Sequence, residues 1–133
     1  MKEAALQRSD GELVCERCLV ASSPWTRMRG LLGRKELPRG EGMLLRPAAS
    51  VHTAFMRFPI DVMFLDAELH VVHVAHSVPA WRAVRGKGAK MVVELAAGEC
   101  SRRDVQHGDE LALAPLAKGA ALPGRHLRAV EEA

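Results

Sequence analysis

Short apolar stretches separated by turn-forming residues make up the main pattern of the chain. The first covers Leu13–Ala21, with Asp10-Gly11 before it and Ser22-Ser23-Pro24 after it. Apolar runs of this length between turn residues are typical of β-strands. The same signal predicts further strands over Met43–Arg46, Ile60–Leu65, Leu69–His76, Lys90–Leu95 and Glu110–Ala114.

One segment has the spacing of a helix instead. Trp25, Met28 and Leu32 recur every three or four residues, the spacing of one face of an α-helix. Ser23 can cap the first turn, and Pro24 suits the first helical position. The pattern therefore predicts one short helix over about residues 24–33.

Several short strands with a single helix favour an α+β class that is mostly β. We expect a single compact domain, barrel-like or sandwich-like. With 133 residues the chain has room for one core. The polar start predicts a flexible N-terminus over 1–12, the strand pattern places the domain over 13–116, and the composition predicts a weakly ordered tail over 117–133.

The charge is small in sum but clustered in sequence. The formal net charge is +3, and fourteen of the nineteen Lys and Arg residues are arginine. Two groups of cations stand out, the second without any acid: first Arg27, Arg29, Arg34, Lys35, Arg39, Arg46 and Arg57, then Arg82, Arg85, Lys87 and Lys90. They indicate either a solvated basic surface or an anion site, because the guanidinium fork binds carboxylates and phosphates.

A carboxylate within an apolar strand is the first candidate for chemistry. Asp61 lies in Ile60–Leu65, where both faces of the strand carry apolar side chains. We therefore expect Asp61 to be buried and paired, since an unpaired buried charge is costly. The partner is either an arginine (Arg57, Arg27 or Arg34) or the amides of a turn.

His52 is a candidate general base, because histidine titrates near neutral pH. An acid–base pair would need His52 within hydrogen-bond reach of Asp61 or Glu94. A histidine bonded to a backbone carbonyl would have the same sequence. No nucleophile elbow, phosphate loop or dinucleotide fingerprint is present.

Cys15 and Cys18 form a CxxC pair inside a predicted strand. Simple alternation would point the two thiols to opposite faces, and redox pairs normally sit where a strand meets a helix. Cys100 and His107 add no recognisable zinc spacing. We expect reduced thiols, no metal and no cofactor.

Five blocks together resemble the DUF192 (COG1430) family of small bacterial and archaeal proteins, whose activity is not established. They are RMRGLLGR, GEGMLLRP, HTAFMRFPIDVMFLD, VVELAAGE and HGDEL. The resemblance covers about Cys18 to Ala114. It implies a fold family without implying a reaction.

Three functions compete. The first is a non-catalytic binding module with an arginine-lined cleft for an anionic or polar small ligand or a peptide. Its expected ligand-binding residues are Arg27, Arg34, His52, Met56, Arg57 and Asp61. The second is a small hydrolase or isomerase using His52 with Asp61 or Glu94. The third, nucleic-acid binding, is disfavoured because tyrosine is absent and Phe and Trp are few.

Location and partners are expectations of the same kind. The N-terminus has no apolar segment typical of an export signal, and no run approaches the ~18 apolar residues of a membrane span. We therefore expect a cytoplasmic protein without membrane contact. Its partner would be a small anionic ligand or another protein.

Overall fold

Strands account for most of the regular structure. The computed structural model of the protein describes residues 2–23, 31 and 34–116. Its elements are β1 (Lys2–Arg8), β2 (Leu13–Ala21), β3 (Glu41–Leu45), β4 (Ser50–His52), β5 (Ile60–Leu65), β6 (Val71–Val78), β7 (Ala83–Arg85), β8 (Met91–Ala96), α1 (Glu99–Arg102) and β9 (Leu111–Ala114). The helix predicted over 24–33 lies outside the described residues, apart from Leu31.

Seven strands form one sheet in the order β6-β5-β8-β3-β2-β1-β9. Its neighbours are antiparallel except for β2 and β3, which are parallel. The sheet curls until its two edges meet at one end. There Val71 donates its N–H to the Asp109 carbonyl at 2.9 Å, and Leu111 donates to the Leu69 carbonyl at 3.0 Å. The mostly β, barrel-like prediction is therefore confirmed.

Side chains pack on both faces of this sheet. The inner core fills the curl and joins both edges: Leu6, Val14, Cys15, Cys18, Val20, Leu44, Met63, Leu65, Val71, Val93, Leu95, Cys100, Val105 and Leu111. The outer core covers the opposite face: Ala21, Leu31, Leu37, Met43, Leu45, Ile60, Val62, Phe64, Val78, Ala89 and Val92. Because both faces are covered, β5 is buried along its whole length, as the apolar side chains on both of its faces predict.

A two-stranded ribbon of β4 and β7 lies over the outer core. Val51 and Val84 pair across it and both pack against that core. Gly86 follows the ribbon, and a Cβ there would come within 2.3 Å of the Phe64 ring. This close approach lets the chain lie directly on a fully buried side chain of the main sheet.

The N-terminus differs from the prediction of a flexible segment over 1–12. Lys2–Arg8 forms β1, which pairs with β2 on one side and β9 on the other. Leu6 has no exposed surface. The segment KEAALQR carries few residues that favour strands, so its order comes from pairing with two neighbours.

The CxxC pair also differs from its prediction. Ala4 is opposite Cys18, whereas Leu6 is opposite Cys15. Two residue steps along β1 thus correspond to three along β2. This β-bulge shifts the alternation of the β2 side chains between the two faces of the sheet. Both thiols consequently point into the inner core with no exposed surface. A hydrogen bond to Cys18, together with burial, raises the pKa of Cys15 well above its ordinary value.

Smaller differences concern the ribbon. The sequence patterns predict none of the short elements β4, β7 and α1. Three-residue strands have too little alternation to stand out from a loop. Within the described residues, no helix is long and apolar enough to cross a membrane.

Candidate functional site

Asp61 is fully buried on the inner face of β5. Its Oδ1 accepts the N–H of Ser77 at 2.8 Å, while Oδ2 accepts those of Gly98 at 3.1 Å and Cys100 at 2.9 Å. Of the two kinds of partner predicted, an arginine or the amides of a turn, backbone amides are the ones found, and only that of Gly98 belongs to a turn. Charge-assisted bonds of this kind can hold a carboxylate in the interior.

These bonds give Asp61 a structural task. Both of its oxygens are engaged and neither is exposed, so a ligand would have to displace backbone donors to reach it. The neighbouring Cys100 thiol is buried in the same place. Burial first, and then the negative charge and hydrogen bond of Asp61, raise the pKa of the Cys100 thiol well above the usual range.

Glu94 lies on the other face of the sheet. Asp61 is opposite Leu95, and Val62 is opposite Glu94, so alternation turns Asp61 inward and Glu94 outward. Glu94 keeps 6% of its surface exposed, and its buried Oε1 has no hydrogen-bond partner among the described residues. Burial raises the pKa of Glu94 from 4.5 to about 7.

His52 is exposed at the end of β4. Val51 packs inward against the outer core, so the next side chain, His52, turns toward solvent. The main sheet therefore separates His52 from Asp61. The hydrogen bonds and ion pairs of the described residues do not join His52 to Glu94 either. The acid–base pair considered from the sequence is not assembled.

The predicted arginine cleft is divided among different places. Arg27 lies outside the described residues. Arg34 forms an ion pair with the buried carboxylate of Glu41 at 3.1 Å. Met56 packs half-buried against the outer core, whereas Arg57 beside it is exposed. His52 and Arg57 thus share the ribbon end, while Arg34 and Asp61 are engaged elsewhere.

The ribbon and the loops at its end carry a surface that we call the basic face, made of the exposed His52, Arg57, Arg82 and Arg85. His52 and Arg85 lie on the same side of the ribbon, since both alternate with the inward Val51–Val84 pair. The flanking segments 46–60 and 79–93 contain no Asp or Glu. The charge of this face is therefore not neutralised by its own segments.

Seven other arginines lie among the described residues, and of these Arg39 and Arg46 likewise form no ion pair with a carboxylate. The other five bind carboxylates: Arg8 with Asp10, Arg17 with Glu3, Arg34 with Glu41, Arg102 with Glu99 and Arg103 with Glu16. Among the described residues, Arg57, Arg82 and Arg85 have no carboxylate partner. The Arg82 guanidinium donates a long hydrogen bond, at 3.4 Å, to the Trp81 carbonyl, and its remaining N–H groups, like those of Arg57 and Arg85, can bind an external anion.

Two aromatic rings stand out beside the basic face. Phe55 is 71% exposed and Trp81 is 62% exposed. Their rings contact each other edge to face with centroids 4.6 Å apart. Both residues have positive φ, 65° and 64° respectively, which is uncommon outside glycine and costs about 1 kcal/mol or more each.

Thr53 holds the two loops that carry these rings. It has no exposed surface, and its Oγ1 donates to the Pro79 carbonyl at 2.6 Å and accepts the Arg82 N–H at 2.9 Å. Its backbone N–H donates to the Arg82 carbonyl at 2.8 Å, and its carbonyl accepts the Trp81 N–H at 3.1 Å. The rings are therefore presented by a braced backbone.

Phe55, Trp81 and Thr53 are not among the site residues predicted from the sequence. The signal for Arg82 and Arg85 was present, because their segment is basic and lacks acids. The aromatic pair had only a weak signal: an aromatic residue one or two positions before an arginine in each of two proline-containing loops. Neither loop alone indicates that the rings meet.

Other parts of the described surface are weaker candidates for a binding site. A depression of about 770 Å³ near β1 is lined by Arg8, Gly11, Glu12, Leu13, Glu16, Arg102, Arg103 and Asp104. Its arginines are already bound to carboxylates or backbone carbonyls. Among the described residues, no group of three or more His, Cys, Asp or Glu could hold a metal ion.

Comparison with known proteins gives relatives without an established activity. A UPF0127 protein of Thermococcus sibiricus is 31% identical, over 80% of this chain and 71% of that protein. The solved structure of a Sinorhizobium meliloti 1021 protein, provisionally described as a transcription regulator, matches with a TM-score of 0.74 at 20% identity, over 84% of this chain and 92% of that one.

A second solved structure, a protein of unknown function from Novosphingobium aromaticivorans, matches with a TM-score of 0.70 at 21% identity, over 83% of both chains. At such identities the two structures establish the fold alone. The family model DUF192, Uncharacterized ACR, COG1430, matches residues 5–113. The chain therefore belongs to the DUF192 family.

Proposed function

We propose that this protein is a non-catalytic binding module that holds an anionic ligand on its basic face. The observation that carries the proposal is the grouping, at the ribbon, of three arginines without a carboxylate partner among the described residues. Arg57, Arg82 and Arg85 are exposed without a carboxylate partner, whereas five other described arginines are ion-paired. An unpaired guanidinium offers its planar fork to an incoming carboxylate or phosphate.

The surroundings of these arginines support the proposal. A solvated basic surface would need neither fixed geometry nor apolar neighbours. Here two exposed rings are held beside the arginines by the buried hydroxyl of Thr53. Aromatic residues and arginine are the residue types enriched at binding surfaces, and a preformed backbone lowers the entropy lost on binding.

The proposal keeps part of the site expected from the sequence. His52 and Arg57 remain in it, and Met56 anchors the loop between them to the outer core. Arg34 and Asp61 leave it because each already has partners. The hydrolase or isomerase alternative lacks support, since His52 meets neither of the carboxylates that it would need.

The test is binding of a labelled oligoglutamate peptide, followed by fluorescence anisotropy at low and at physiological ionic strength. We expect binding that weakens as salt rises, because exposed charges are screened. The double variant Arg57→Glu/Arg85→Glu should lose at least about tenfold in affinity, since close like charges at a binding surface are strongly unfavourable.

The matched control is Lys2→Glu/Lys35→Glu, which makes the same charge change at two exposed cations outside the ribbon. It should retain most of the binding. Equal losses in both double variants would show an effect of net charge alone and would contradict a site on the basic face. Thermal melting of each variant verifies that it is folded.

A further inference from the structure

We propose that the basic face docks on the surface of an anionic lipid bilayer, with the rings of Phe55 and Trp81 entering the headgroup region. This inference rests on the proposed function and names its partner. It concerns peripheral contact, which needs no spanning helix. The sequence-based expectation of no membrane contact considered spanning alone.

The most exposed large hydrophobic side chains of the described residues lie together. Four large hydrophobic residues are exposed in the described part of the chain: Leu13, Phe55, Trp81 and Leu116. The two with the largest exposed fractions touch each other. Single exposed apolar residues are ordinary, but a joined aromatic pair is a local apolar patch.

The backbone beneath the rings forms hydrogen bonds within the protein. Groups entering the headgroup region lose water, so their N–H and C=O groups need partners within the protein. The N–H groups of Met56 and Trp81 donate to the Thr53 carbonyl, each at 3.1 Å. The Arg82 N–H donates to Thr53 Oγ1, and its carbonyl accepts the Thr53 N–H. The loops therefore satisfy these groups internally.

The surface beside the rings is positively charged. Arg57 and Arg82 follow the two rings in sequence, and Arg85 lies on the ribbon behind them. The segments around them contain no carboxylate to be repelled by an anionic surface. Aromatic rings favour the membrane interface, and cations near it are attracted to anionic headgroups. The two features reinforce each other on one face.

The shape of the pair favours a bilayer over a single-stranded nucleic acid. Bases stack on the open faces of aromatic rings. With their centroids 4.6 Å apart and an interplanar angle of 61°, Phe55 and Trp81 pack against each other and leave no room for a base between them. A projecting apolar pair with flanking cations suits a deformable surface.

The experiment is cosedimentation of the full chain with phosphatidylcholine vesicles, with and without phosphatidylserine, at physiological salt. We expect the anionic vesicles to bind at least about tenfold more tightly, through several surface cations. The double variant Phe55→Ala/Trp81→Ala should lose at least about tenfold in affinity for them, because ring burial then contributes nothing. The control Leu13→Ala should bind like the wild-type protein.

A second readout follows insertion directly. In a Trp25→Phe background, Trp81 is the sole tryptophan, and its emission should shift to the blue with anionic vesicles but not with oligoglutamate. Because the two rings are exposed, their removal should leave the melting temperature nearly unchanged. Melting curves of all variants verify that loss of binding is not loss of folding.

Each other outcome overturns the inference. Binding of oligoglutamate without binding of vesicles would leave the proposed function intact and refute the lipid partner. Vesicle binding that survives loss of both rings would refute insertion. Ring-dependent binding of an oligothymidine strand without vesicle binding would identify a nucleic acid instead. Failure with every anionic probe would overturn the proposed function as well.

Discussion

Asp61 and Glu94 lie on neighbouring strands, one position apart in the pairing. Their carboxyl groups have opposite environments. Asp61 faces inward and accepts three backbone N–H bonds. Glu94 faces outward among apolar side chains, and within the described part of the chain its Oε1 has no hydrogen-bond partner. Burial alone therefore determines the protonation of Glu94 and raises its pKa to about 7.

The raised pKa predicts a pH-dependent stability. Below about pH 4.5 the carboxyl is neutral in both states and carries no penalty. As pH rises toward 7, the unfolded chain ionises while the folded one stays protonated, so folding stability falls, and it levels off above the folded pKa. The shift from 4.5 to about 7 corresponds to a loss of roughly 3 kcal/mol.

Glu94→Gln should therefore raise the free energy of unfolding at pH 8 and flatten its decline between pH 4.5 and 7. Urea unfolding at pH 5 and pH 8 measures both effects. The control Glu68→Gln changes an exposed side chain and should leave the pH dependence as in the wild-type protein. An unchanged slope in Glu94→Gln would contradict the assignment.

At the scale of the elements, β1 shows how pairing can override a weak local sequence. It lies between β2 and β9 and brings Leu6, with no exposed surface, into the inner core. A segment taken for a loose end by its polarity is therefore an interior strand. Its removal would leave the facing edges of both β2 and β9 unpaired.

Leu6→Ala should destabilise the protein by about 2–5 kcal/mol, because truncating a buried leucine loses transfer energy and leaves a cavity. Chemical denaturation measures the change. In contrast, Lys2→Ala alters an exposed residue of the same strand and should cost less than about 0.5 kcal/mol. Equal and negligible effects of both substitutions would restore the flexible N-terminus.

At the scale of the whole molecule, Asp61 connects parts that are distant in sequence. From β5 it binds Ser77 in β6 and the N–H groups of Gly98 and Cys100, where α1 begins. One buried carboxylate thus fixes a neighbouring strand and the only helix of the described residues. Asp61 therefore contributes to the stability of the fold and not to a ligand-binding or catalytic site.

Asp61→Asn should cost roughly 2–4 kcal/mol of folding stability, because the amide NH₂ faces backbone donors that the carboxylate oxygen had accepted. The control is Asp66→Asn, since the Asp66 Oδ1 alone accepts the N–H groups of Glu68 and His70 and an amide oxygen can replace it. Thermal and urea unfolding compare the two. Similar costs would contradict the special place of Asp61.

The sequence by itself determined what local periodicity encodes. β2 and β5 have the predicted boundaries, and Asp61 is buried, as the apolar side chains on both faces of its strand predict. The apolar side chains on both faces of β5 require cover on both sides of the strand. The basic character of the ribbon could be predicted because charge is a property of composition.

Tertiary structure alone decided which groups meet. A bulge opposite β1 placed Cys15 and Cys18 on one face, and the fold supplied amides rather than an arginine to Asp61. Phe55 and Trp81 come together because Thr53 joins two loops far apart in sequence. Such contacts depend on the register and curvature of the sheet, which arise from the packing of all the strands at once and not from any one segment.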